Sequence, residues 1–182
     1  VKRLLCFQYR ESGELPPLSF PAALTEPKKG IEILYERPIT LNHLKEYTLS
    51  RKIPLELANL YLKEVRYVVK GRKYWALGFK NDSGGYELRN AHFKGSSMPK
   101  DITTFHVPDS AKVAVFEGFF DFLSALVWFG LEKPRISTVV LNSTSNRSKA
   151  VPFLRQFKQV NCFLDRDNAG IRGTEPVSYT HL

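Results

Sequence analysis

The chain has 182 residues, 43% of them hydrophobic and 25% charged, with a formal charge of +9 and a pI near 9.6. That balance suits one full globular domain or two small ones and argues against wholesale disorder. Two cysteines, Cys6 and Cys162, are too few for a disulfide framework or a four-cysteine zinc site. The longest apolar stretch, Phe116 to Leu131, is broken by Glu117, Gly118 and Asp121, so it does not read as a membrane span. A cytoplasmic protein is the expectation.

Residues 1–39 read as a linker. Pro16, Pro17, Pro21, Pro27 and Pro38 forbid a long helix there, and the chain opens at Val1, so an N-terminal region is expected to precede it. From Thr40 the period turns helical. Thr40 or Asn42 is positioned to cap a short helix bearing Leu41, Leu44 and Tyr47, and Pro54 opens a second with Leu57, Leu60 and Tyr61 on one face. Val65, Tyr67 and Val69 then alternate, Lys70-Gly71-Arg72-Lys73 turns the chain, and Tyr74–Phe79 returns as a strand. Asn81–Gly85 is a turn, and Tyr86–Asn90 a third strand. Residues 51–100 hold 11 basic and 4 acidic side chains, a concentrated positive field that favours a polyanionic partner.

Beyond Lys100 the pattern becomes strand, helix, strand, helix, strand. Val113–Phe116, Thr138–Leu141 and Val160–Leu164 are short apolar runs, separated by helices over about Phe119–Phe129 and Lys149–Phe157. This predicts an α/β fold with a parallel sheet and right-handed crossovers, preceded by a small basic α+β unit. In such sheets chemistry gathers at the carboxyl ends of the strands. Those ends carry Glu117, the polar stretch Asn142–Asn146, and the pair Asp165 and Asp167; Asp121 follows Glu117 by one helical turn.

Carboxylates so gathered are costly without a cation, because two unit charges about 4 Å apart repel by roughly 4 kcal/mol at an effective dielectric near 20. With no His or Cys beside them, hard oxygen donors suit Mg²⁺ or Mn²⁺ rather than zinc. Taken singly, Asp165 and Asp167 would equally well shape a turn before Gly170, and Glu117 would cap the helix after it. Together at matching strand ends they favour a metal site.

Val115-Phe116-Glu117-Gly118-Phe119-Phe120-Asp121-Phe122-Leu123-Ser124 resembles the first signature of the Toprim domain of DnaG-type primases, and Leu164-Asp165-Arg166-Asp167-Asn168-Ala169-Gly170 resembles the second. Gly78 to Asn90 resembles the hairpin of the basic subdomain that precedes Toprim in primases, with a particular likeness to small primase-like proteins of Bacteroidetes mobile elements. Asn142–Asn146 stands where primases have a Gly-Thr-rich turn, without the glycine. The resemblance spans about residues 40–174 and divides the chain into a basic subdomain at 40–110 and a partial Toprim domain at 111–174. Residues 175–182 do not look like the expected helix and read as a tail foreign to the fold.

The resemblance implies Mg²⁺-dependent (or Mn²⁺-dependent) synthesis of RNA primers on single-stranded DNA. Asp121, Asp165 and Asp167 would hold metal, and Glu117 would hold metal or act as general acid/base. Lys70, Arg72, Lys73, Lys80, Arg89 and Asn90 would bind template or nucleotide. Its partners would be a single-stranded DNA template, ribonucleoside triphosphates and, as a candidate, a replicative helicase; zinc belongs only to the family's N-terminal ribbon, expected upstream. Tyr74, Trp75 and Tyr86 are open to two roles, core packing or base stacking. A Toprim nuclease and a non-catalytic nucleic-acid-binding module are the alternative functions.

Overall fold

The computed structural model describes residues 30–164. Its first half is a five-stranded antiparallel sheet in the spatial order β1 (Glu32–Arg37), β2 (Leu62–Val69), β3 (Arg72–Lys80), β4 (Tyr86–Arg89), β5 (Lys94–Ser96). Two helices, α1 (Asn42–Ser50) and α2 (Leu55–Tyr61), are inserted between β1 and β2. The alternation that predicts β2, β3 and β4 gives no warning of β1 and β5. β1 is an edge strand, mostly exposed and carrying charges at both ends, with a register shift between Ile33 and Tyr35, so it shows no clean inside-outside period. The linker assigned to residues 1–39 therefore contains a paired strand at Glu32–Arg37. The β2–β3 turn is a two-residue reversal with positive φ at both Lys70 (49°) and Gly71 (77°), the backbone that tight hairpins need.

Alternation gives this sheet two different faces. Leu62, Leu77 and Phe79 point to one side and pack with Leu44, Ile53, Leu57 and Ala58 of the helical insertion. Val65, Tyr67, Ala76, Tyr86 and Leu88 point to the other, where Ile31, Ile33 and Phe93 help cover them. Gly78 falls where this second core is tightest: a Cβ there would sit 2.3 Å from Val65 Cγ2.

The start of α1 differs from its sequence reading. Leu41 is the N-cap residue and no side chain caps the helix locally. Glu64, fully buried on β2, reaches across instead and accepts hydrogen bonds from the Thr40 N–H (2.8 Å), the Leu41 N–H (2.8 Å) and Arg37 Nε (2.7 Å). A carboxylate at a helix N-terminus also meets the positive end of the helix dipole. Burial pushes the Glu64 carboxyl up, but these donors and the Thr40 hydroxyl outweigh it and hold it below the usual range. On α2 the buried residues are Leu57 and Ala58, whereas Leu60 is exposed, so the apolar face is narrower than Leu57, Leu60 and Tyr61 suggest.

The second half is a four-stranded sheet in the order β6-β8-β7-β9, built from β6 (Thr103–Phe105), β7 (Lys112–Phe116), β8 (Ser137–Val140) and β9 (Gln159–Phe163). β7 is central and runs parallel to both β8 and β9, while β6 adds an antiparallel edge that three polar-flanked residues do not announce in sequence. α3 (Phe119–Trp128) links β7 to β8, and α4 (Arg147–Leu154) links β8 back across to β9. α3 packs on Ala114, Phe116 and Val140; Ala150 of α4 packs with Val113, Val115, Val139 and Val160. The helices therefore cover opposite faces, and strand order reverses at β7, which opens a crevice at its carboxyl end.

α3 is also the joint between the two sheets. Phe119 stacks on Phe79 of β3 with ring centroids 5.2 Å apart, and Phe122 meets Tyr61 at 5.1 Å and Phe105 at 4.9 Å. Each such ring, once buried, contributes roughly 1.5–3 kcal/mol. One hydrophobic core thus runs from the antiparallel sheet through α3 into the parallel sheet.

Candidate active-site cleft

The carboxyl ends of β7 and β8 open onto a cleft of about 550 Å³ whose far wall is the edge of the antiparallel sheet. The β7 end supplies Glu117, half-buried, followed by Gly118 as the N-cap of α3 and Asp121 in its first turn. The Asp121 carboxylate folds back over that cap: a Cβ on Gly118 would lie 3.4 Å from Asp121 Oδ2. Glu117 and Asp121, which the sequence groups by spacing, therefore line one cleft together.

The β8 end supplies Asn142, Ser143 and Thr144. Asn142 has φ of 63°, a left-handed backbone that glycine or asparagine tolerates best. This is a physical reason why the turn works without a glycine. Its Nδ2 donates to the Asp101 carbonyl and to Thr103 Oγ1, both at 3.0 Å, while its buried Oδ1 has no hydrogen-bond partner.

The opposite wall is basic. Arg89 on β4 lies on the same sheet face as Glu87, since the two alternate by two residues, and Lys94 stands opposite Arg89 on β5. Lys100 and Arg51 complete the rim. The two phenylalanines that open α3 hold the arginines in place: the Arg89 guanidinium carbon is 5.7 Å from the Phe119 ring and that of Arg51 is 4.9 Å from Phe120. Glu87 and Arg89 approach to 3.6 Å. Burial pushes the Glu87 carboxyl up to about 7 against the pull of Arg89, Lys100 and Lys94, and burial also lowers the Arg89 guanidinium, with Glu87 opposing. Near neutral pH the wall is therefore only partly neutralised and keeps a positive field.

Not every residue grouped by sequence comes to this cleft. Lys70, Arg72 and Lys73 occupy the tip of the β2–β3 hairpin. Arg72 is seven residues from Phe79, which packs beside the cleft, or roughly 23 Å along the strand at about 3.3 Å per residue. Lys80 faces away with the second core, its Nζ 3.7 Å from Glu36 and 5.4 Å from the Tyr86 ring centre. Asn90 spends its amide on the turn, donating to the Trp75 carbonyl at 2.8 Å and accepting from the His92 N–H at 2.9 Å. Tyr86 is buried, with its hydroxyl bonded to Glu36, and Tyr74 stacks on Tyr67. Asp165 and Asp167 lie outside the described residues.

Sequence reasoning passes over Glu87, Arg51, Lys94 and Lys100. The Glu87–Arg89 alternation is a usable signal for the first. Arg51, Lys94 and Lys100 are isolated cations in sequence: Arg51 is brought to the cleft by packing on Phe120 of α3 and Lys94 by its pairing with Arg89.

Among the described residues no three His, Cys, Asp or Glu side chains group as a metal site. The carboxylates that line the cleft, Glu117 and Asp121, are hard oxygen donors of the kind Mg²⁺ prefers.

Residues 114–180 match the Toprim-like family, and residues 33–98 match a domain of unknown function (DUF8464). No curated protein matches the chain, and no solved structure does. The parallel strands flanking β7 and the acidic strand end at Glu117 are consistent with the Toprim-like similarity, and a Toprim-like domain fits nucleic-acid-processing proteins such as primases, nucleases and topoisomerases.

Proposed function

We propose that this chain acts as a primase, joining ribonucleotides into RNA primers on single-stranded DNA in a Mg²⁺-dependent reaction. The observation that carries the reading is the cleft itself, which Arg51, Arg89, Lys94 and Lys100 line together with the Glu117 and Asp121 carboxylates. That arrangement suits a substrate that is both polyanionic and metal-bound. Glu117 and Asp121, with Asp165 and Asp167 from the next signature, would hold the ion, whose chemistry when bound is to neutralise triphosphate charge and lower the pKa of an attacking 3′-hydroxyl. Arg89, Lys94, Lys100 and Arg51 would hold the phosphates. The hairpin cations Lys70, Arg72 and Lys73 would engage the template away from the reacting centre.

The test is incubation of the full chain with Mg²⁺, labelled ribonucleotides and single-stranded DNA. Short labelled RNA is the expected product. Shortened DNA would overturn the primase reading in favour of a nuclease, and salt-sensitive binding without product would reduce the chain to a binding module. Asp165→Asn combined with Asp167→Asn should abolish synthesis while leaving DNA binding intact.

A further inference from the structure

On the helix-bearing face of the antiparallel sheet, next to the N-terminus of α1 that Glu64 caps, sits a cluster that the cleft does not use. The register sets Tyr35 opposite Arg66, Arg66 opposite Trp75 and Arg37 opposite Glu64, so all five side chains share that face. The Arg37 and Arg66 guanidinium carbons lie 5.0 Å and 5.3 Å from the Trp75 ring centre, and Tyr35 meets Trp75 edge-on at 5.5 Å. Arg66 also lies 5.9 Å from the Tyr35 ring. Arg37 is ion-paired to Glu64, but Arg66 Nε has no hydrogen-bond acceptor and is held by the rings alone. Tyr35 remains 41% exposed and the Arg37 side chain 42% exposed, so a ring and a guanidinium plane stay open to an incoming group.

Lys73 lies on the same face, two residues before Trp75, and Lys70 and Arg72 continue the positive charge to the hairpin tip. In the other direction Trp75 is one same-face step from Leu77, whose cross-strand partner is the cleft residue Arg89. Flat π surfaces interleaved with cations fit a ligand that pairs negative charge with exposed planar rings. Unpaired bases on a phosphate backbone have that chemistry; duplex DNA hides its base faces.

We infer that Tyr35, Arg37, Arg66 and Trp75 form a stacking platform for single-stranded nucleic acid, on the sheet face that leads from the hairpin tip to the cleft. The inference rests on the nucleic-acid reading above, yet it can fail or stand separately from primer synthesis.

The chain has two tryptophans, and the other, Trp128, is 82% exposed on α3. Trp128→Phe therefore leaves Trp75 as the sole tryptophan, read by selective tryptophan excitation. Titration of that variant with oligothymidylate should quench Trp75, and an abasic oligomer of equal length and charge should quench it far less. Arg66→Gln and Tyr35→Ala, each checked for native circular dichroism, should weaken oligothymidylate binding by about tenfold, the range expected for one lost stacking partner. Absence of quenching, or equal quenching by the abasic oligomer or by duplex DNA, would overturn the platform. Quenching that persists in a chain unable to make primers would leave the platform in place and remove the catalytic reading alone.

Discussion

Glu87 offers a test of the cleft's electrostatics that needs no substrate. Its carboxyl is raised from 4.5 to about 7 because burial outweighs the attraction of Arg89, Lys100 and Lys94. The gap corresponds to about 3 kcal/mol of native-state penalty on the ionised form. In the unfolded chain Glu87 loses its proton near 4.5, whereas the folded chain keeps it to about 7. Its contribution to stability is therefore lost progressively as pH rises through that window and is fully lost above it. Glu87→Gln removes the titration while keeping the side-chain shape. Urea denaturation followed by circular dichroism should show the variant gaining on the wild type by about 2–3 kcal/mol between about pH 5 and about pH 8. Parallel pH profiles for the two proteins would refute the claim that Glu87 is buried against an incompletely compensating basic wall.

Glu64→Gln should destabilise the fold by about 1.5–3 kcal/mol, because the neutral amide weakens the charge-assisted bonds to Arg37 and to the N-terminal cap of α1 while Arg37 stays partly hydrated. Since the Glu64 carboxyl is held low, its contribution is present at neutral pH and is lost as pH falls through its depressed folded value, so the wild type should lose more stability in acid than the variant does. Gly78→Ala should cost about 1–3 kcal/mol in the same denaturation assay, as the added Cβ runs into Val65 Cγ2.

The parts of this molecule that are legible in its sequence are those with a strict period. β2, β3 and β4 alternate, β7, β8 and β9 are continuous apolar runs, and α3 is closed by Gly130 at φ of 62°. β1, β5 and β6 are edge strands, two of them only three residues long, and their register is imposed by partners rather than by pattern. The N-terminus of α1 was illegible for a related reason: its cap, Glu64, comes from a strand more than twenty residues away. The acidic side of the cleft could be read because chain order places Glu117 and Asp121 at a strand end and the first helical turn after it. The basic side could be read only at Arg89. Arg51 reaches the cleft over Phe120 of α3 and Lys94 through its strand pairing with Arg89, and no spacing rule links a residue after α1 to one on β5. Net positive charge correctly signalled a basic region but could not divide it into a cleft wall, a hairpin tip and the Arg37–Trp75–Arg66 face.

The proposed chemistry requires acidic side chains from separate strand ends to act together on one divalent ion. Titration of the full chain with Mn²⁺, followed by its electron paramagnetic resonance signal, measures this directly. Glu117→Gln, and separately Asp165→Asn with Asp167→Asn, should each weaken Mn²⁺ binding by about tenfold or more while the circular dichroism spectrum stays native. Wild-type affinity in either variant would mean that the two signatures do not share a metal, and would contradict the proposed chemistry of the cleft.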